Sequence, residues 1–213
     1  MEKTLEEQLM DKYVGEVQTL SIVAGTMACN AKCPDCVSLM TTDPDLYTAF
    51  NFTEVDWENF KIALETSING DAKAVLFTGK GEPTLFPQHI DDYLTRINEH
   101  LAENNPGYHL DREMQSNGLI MQHPKFQEKG WLQKWYDNGL DLISLSIVDV
   151  DAEVNHEFYN PHQEEYPDLS KTIDMLHDIG YNVRLSVTMM KDRVESPSDI
   201  ERVVQFAKDN DVE

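Results

Sequence analysis

What most restricts the fold of this chain is a repeated switch between two hydrophobic periods. Short apolar runs of strand length occur at 18–27 (QTLSIVAGTM), 72–79 (AKAVLFTG), 108–118 (YHLDREMQSNG), 141–149 (DLISLSIVD) and 182–190 (NVRLSVTMM). Each is followed by a segment with helical spacing. The first, 54–68, places Trp57, Phe60, Leu64 and Ile68 on one face after a Thr53 cap. The second, 89–101, does the same with Ile90, Leu94, Ile97 and Leu101. A third helix is expected over 125–139, with Trp131 and Trp135 on its packing face and Asn-Gly as its stop. The last two are expected over 168–180 and 198–210. Repetition of βα units with apolar strands predicts a parallel sheet, helices on its outside and right-handed crossovers. The expected fold is therefore α/β, a partial (βα)6-type open barrel of parallel strands with at least five βα units visible. Residues 1–17 read as an N-terminal helical extension, and 18–213 as the core domain. A sixth strand is expected to begin at the closing "DVE", so the sequence reads as a fragment of a longer protein or as a sheet completed by another chain.

In such barrels chemistry gathers at the carboxyl ends of the strands. The unusual residues fall there. All three cysteines, Cys29, Cys33 and Cys36, lie in "CNAKCPDC" after the first strand. "GKGEP" follows the second strand and "QSNG" the third, while Ser144 and Ser146 lie in the fourth and Ser186 in the fifth. No apolar run approaches the ~18 residues of a membrane span. The start of the chain has no basic segment followed by an apolar one, so no secretory signal is read and the cytoplasm is expected. Clustered thiols in that compartment point to a metal or redox site. The net charge of −22 opposes broad binding to nucleic acid, which relies on Lys and Arg at phosphates. Thiolates suit zinc and iron–sulfur clusters. A structural zinc site closes with four ligands, and the second cysteine pair is missing here; His89, His109 and His123 are candidates by type to complete it. An iron–sulfur cluster held by three thiolates instead leaves one iron for another ligand.

C-x3-C-x2-C after the first strand of a βα barrel resembles the radical S-adenosylmethionine (SAM) superfamily. The "TGKGEPTL" segment resembles that family's G-G-E-P motif: Gly81, Glu82 and Pro83 match, and Lys80 stands where the first glycine is usual. "SNG", with Asn117, resembles the T-N-G turn after the third strand. "SLS" resembles the fourth-strand S-L-D segment, with Ser146 replacing Asp, and Ser186 falls where a fifth-strand Asn meets SAM. Asp35 departs from the pattern, since an aromatic residue usually precedes the third cysteine and packs near the adenine.

The resemblance implies a 4Fe–4S cluster on Cys29, Cys33 and Cys36, with SAM on its open iron. Gly81, Glu82, Pro83, Asn117, Ser144, Ser146 and Ser186 are the implied SAM contacts. The implied activity is reductive cleavage of SAM to a 5′-deoxyadenosyl radical that abstracts a hydrogen atom from a small molecule, peptide or protein. An external electron donor of the flavodoxin or ferredoxin type is implied as a partner. No cysteine is left for a second cluster, which disfavours peptide-maturase types within these 213 residues. Two alternatives stand beside this reading: an RNA-modifying member of the same superfamily, which the charge disfavours, and a non-catalytic, zinc-stabilised binding module. Met189 and Met190 are expected in the core, and Arg184 and Lys191 either reach the SAM carboxylate or substrate or are solvated.

Overall fold

The computed structural model describes residues 17–40, 54–161 and 166–213. Five strands, β1 (Thr19–Val23), β2 (Ala74–Thr78), β3 (Asp111–Ser116), β4 (Leu142–Ile147) and β5 (Asn182–Val187), form one sheet in the order β1-β2-β3-β4-β5. Every neighbouring pair is parallel. Sequential order with parallel pairing requires each connection to cross back over the same face, and this is how a half barrel winds.

The register separates two faces. One row runs Ile22, Phe77, Met114, Ile143, Val183 across all five strands. All five are buried in the main hydrophobic core, where each full side-chain burial is worth roughly 1.5–3 kcal/mol. The adjacent row, Ser21, Leu76, Glu113, Leu142, Asn182, points the other way and is more polar. The described helices are α1 (Val37–Met40), α2 (Trp57–Asn69), α3 (Pro87–Asn104), α4 (Pro124–Gln127), α5 (Trp131–Asp137), α6 (Ala152–Tyr159), α7 (Leu169–Ile179) and α8 (Pro197–Asp209). All but α1 and α6 place residues in or against the main core on the apolar face. Leu64 and Ile68 of α2, Ile90, Leu94 and Ile97 of α3, and Ile173 and Leu176 of α7 enter that core.

The local signals account for most boundaries. Asp56 caps α2 by accepting from the Asn59 N–H at 3.0 Å. The expected Thr53 cap lies outside the described residues, as do residues 1–16 of the predicted N-terminal extension. Gly180, at φ 117°, ends α7 in the left-handed conformation that glycine adopts without steric cost. The predicted helix over 125–139 is instead two helices, because Gly130 adopts φ 65° between α4 and α5. Trp135 is fully buried and stacks on Trp131 at 6.3 Å, so the packing-face expectation holds. Helix α6 was not anticipated, and it lies between β4 and α7. Met189 is 58% exposed and is not a core residue, whereas Met190 packs on a smaller cluster with Phe158 and Tyr159. Arg184 is ion-paired to Glu113 at 2.7 Å and to Glu213 at 3.1 Å. Glu213 also extends the sheet edge, donating its N–H to Val183 at 3.1 Å and accepting from Leu185 at 2.7 Å.

Candidate functional site

The site is built where the loops after β1, β2 and β3 meet. The β1 loop leaves the sheet at Ala24, whose N–H still reaches the Thr78 carbonyl at 2.8 Å. It then runs back across the β2 loop, and the Glu82 N–H donates to the Ala28 carbonyl at 2.9 Å. Gly81 makes this crossing possible. A Cβ there would collide with the Ala28 carbonyl oxygen, a backbone atom that cannot swing aside. The glycine of the motif is thus the point at which the cysteine loop docks on the sheet.

Glu82 is 3% exposed, and its carboxylate is fastened to two strand ends. Oε1 accepts from the Thr84 N–H at 3.1 Å, the Thr84 hydroxyl at 2.7 Å and the Ser116 hydroxyl at 2.7 Å. Oε2 accepts from the Asn117 N–H at 2.9 Å. Burial pushes the Glu82 carboxyl above its ordinary range, and these donors pull it back down. The side chain therefore pins the β3 turn to a one-turn 3-10 helix, Pro83–Leu85. These hydrogen bonds give Glu82 a fastening role within the protein.

The cysteine loop has its own supports. The Cys29 sulfur accepts from the Ala31 N–H at 3.4 Å and from the Asn117 side-chain amide at 3.9 Å. The Lys32 N–H donates to the Tyr159 carbonyl at 2.8 Å, tying the loop to the end of α6. Cys33 and Cys36 are half-buried and Cys29 is exposed. Burial, the other two thiols and Asp35 push the Cys33 thiol up to about 12. Burial also raises Cys29, against the lowering pull of the Ala31 N–H. A cation bound at these thiols would relieve the pressure on Cys29 and Cys33, releasing protons as it binds.

One cavity of about 260 Å³ opens over these loops. Cys29, Cys33, Cys36, Gly81, Glu82, Pro83, Asn117 and Ser146 all line it. Ser144 and Ser186 do not. Ser144 is 1% exposed, one step down the same face of β4 from Ser146. Ser186 pairs in register with Ser146 but lies exposed on the edge strand β5. The cavity is also lined by residues outside the predicted set, among them Thr78, Gln115, Ser116 and Tyr159. Gln115 shares a register row with Ser144, and Thr78 ends β2, so both were within reach of a strand-end argument. Tyr159 belongs to the unanticipated helix and carried no signal. It stacks on Tyr166 at 6.0 Å and is the aromatic side chain on the cavity wall, where Asp35 is not. Lys80 also lines the cavity.

The histidines considered for a zinc site are placed elsewhere. His109 lies 2.9 Å from Asp111, His123 caps α4, and His89 faces Phe86 at 6.0 Å. Among the described residues no three His, Cys, Asp or Glu side chains converge on a single metal ion. A polynuclear cluster has a different requirement, since each thiolate binds its own iron. No described helix is long and apolar enough to cross a membrane.

No protein-family model and no curated protein matches the sequence. Solved structures do match in fold. The crystal structure of SuiB from Streptococcus suis bound to precursor peptide SuiA superposes with a TM-score of 0.66 at 17% identity, over 96% of this chain and 40% of that one. SuiB bound to S-adenosylmethionine gives a TM-score of 0.65 at 16% identity, over 97% and 40%. The chain therefore spans about 40% of SuiB's length. At these identities the likeness is one of fold: the open, parallel five-stranded α/β sheet described above is shared with SuiB.

Proposed function

We propose that the protein is a radical SAM enzyme, with Cys29, Cys33 and Cys36 as the ligands of a 4Fe–4S cluster and SAM in the adjoining cavity. The observation that carries this reading is convergence: three cysteines, the Gly81–Pro83 turn, Asn117 and Ser146 come from four different strand ends and line one cavity. The donor set fits an anionic sulfur cluster. A backbone N–H and a side-chain amide already point at the Cys29 sulfur, and the Asn30 side-chain nitrogen is sealed from solvent without a partner. The fold shared with SuiB, which has been crystallised with SAM, supports the same assignment.

The group would supply one-electron cleavage of SAM to methionine and a 5′-deoxyadenosyl radical that takes a hydrogen atom from the substrate. The chain's own residues bind, orient and exclude water. Gly79 and Gly81 line the cavity, and without side chains they let a bound ammonium group approach the backbone. Glu82 keeps that turn in shape through its four hydrogen bonds rather than through free carboxylate charge. Ser146 offers a hydroxyl to the ribose. Tyr159 offers a ring to the nucleobase in place of the aromatic residue that Asp35 replaces. An external flavodoxin- or ferredoxin-type protein supplies the electron. The SuiB structure with its precursor peptide makes a peptide the first substrate class to test.

The test is anaerobic reconstitution with iron and sulfide. We expect about four irons per chain and an electron paramagnetic resonance signal after dithionite reduction that changes when SAM is added. Stoichiometric zinc, with no iron uptake and no SAM binding, would overturn the reading in favour of a metal-stabilised binding module.

A further inference from the structure

Two asparagines from distant parts of the chain meet beside the first cysteine. Asn30 lies in the cysteine loop and Asn117 follows β3, 87 residues later. The Asn117 side-chain nitrogen donates to Asn30 Oδ1 at 2.9 Å and stands 3.9 Å from the Cys29 sulfur. Its orientation is fixed from the other side. Asn117 Oδ1 accepts from the Leu119 N–H at 3.0 Å, so the nitrogen end of the amide must face the cysteines. The Asn117 backbone is held as well, through its N–H to Glu82 Oε2 at 2.9 Å. Asn30 is oriented in turn, because its oxygen is taken by Asn117. Its nitrogen is then left buried with no acceptor. A buried donor without a partner is costly and rarely retained without a reason.

We propose, on the footing of the cluster reading above, that Asn117 and Asn30 are positioning residues that donate to the sulfur atoms at the Cys29 corner of the cluster and raise its reduction potential. A reduced cluster carries one more negative charge on its sulfurs, and donors aimed at sulfur stabilise that form more than the oxidised one. Asn117 also lines the cavity proposed for SAM, so the role assigned here is additional to a SAM contact and is read from the reduction potential of the cluster without SAM.

The test is a potentiometric titration of the reconstituted protein, followed by the reduced-cluster resonance. Asn117→Asp keeps the oxygen that accepts from Leu119 and replaces the donor with an acceptor. Asn30→Ala removes the partnerless nitrogen. Loss of one such hydrogen bond is expected to lower the reduced-to-oxidised ratio at a fixed solution potential about fivefold in Asn30→Ala. Asn117→Asp, which adds an anion beside sulfur, is expected to lower it further. Wild-type potentials in both variants at full iron content would overturn the proposal. So would loss of iron in both with an unshifted potential in the fraction that remains, since that marks a structural role alone. If the wild-type chain takes up no iron, the cluster reading itself fails, and that outcome is distinguishable from either of the others.

Discussion

The carboxyl ends of β1–β3 and those of β4–β5 are parts of one sheet, yet they are organised differently. On the β1–β3 side the loops fasten one another: Glu82 to Ala28, Thr84, Ser116 and Asn117, and Asn117 to Asn30 and Cys29. On the β4–β5 side only Ser146 of the three singled-out serines reaches the cavity, and Arg184 is turned to Glu113 and Glu213. The difference teaches that the first half of the sheet is a preassembled holder. Its polar groups are spent on each other and on the cysteine loop, which fixes where three thiols stand. The second half presents a more open wall, anchored by a different device. There, Arg202 of α8 makes a two-pronged pair with the buried Asp149, at 2.5 and 2.7 Å, and holds the Asp149 carboxyl below its ordinary range.

Substitutions in the two halves should therefore differ sharply. Cys33→Ala is expected to have the largest effect, abolishing stable iron uptake by a reconstituted sample, measured as iron per chain. Gly81→Ala comes next. Its Cβ would strike the Ala28 carbonyl, so the Glu82–Ala28 hydrogen bond must break or the loop must shift. The expected loss is about 2–4 kcal/mol in urea unfolding of the metal-free chain, with reduced iron retention. Glu82→Gln is milder. The amide oxygen can still accept from Thr84 and Ser116, but its nitrogen would face the Asn117 N–H, donor against donor. A loss of about 1–3 kcal/mol is expected by the same measurement. Ser186→Ala on the open side should be the smallest, within about 0.5 kcal/mol and without effect on SAM affinity. A Ser186→Ala variant that matched Gly81→Ala would erase the contrast between the halves.

Much of this division was legible in the sequence. Period-2 and period-3.6 patterns located all five strands, and glycine, proline and acid after β2 marked a shaped turn at a strand end. The positions of Cys29, Cys33, Cys36 and Gly81–Pro83 followed from that. Other features depend on quantities that spacing does not carry. Ser144 and Ser146 lie on the same face, so alternation could not tell which one is high enough on β4 to reach the cavity. The role of Glu82 depends on four donors, two backbone N–H groups and two hydroxyls, of which those of Ser116 and Asn117 reach it only through the tertiary fold. Helix α6 is only eight residues long with just half of them apolar, which hid Tyr159. Gly130 has the dihedral that breaks 125–139, but an internal glycine in a helical pattern does not by itself announce a left-handed turn.

The most direct test of the central claim is whether the reconstituted protein cleaves SAM. With dithionite as reductant under anaerobic conditions, wild-type protein is expected to release 5′-deoxyadenosine, and Cys33→Ala protein is expected to release none. A wild-type sample loaded with about four irons per chain that yields no 5′-deoxyadenosine, or a Cys33→Ala sample that yields as much as wild type, would contradict the account.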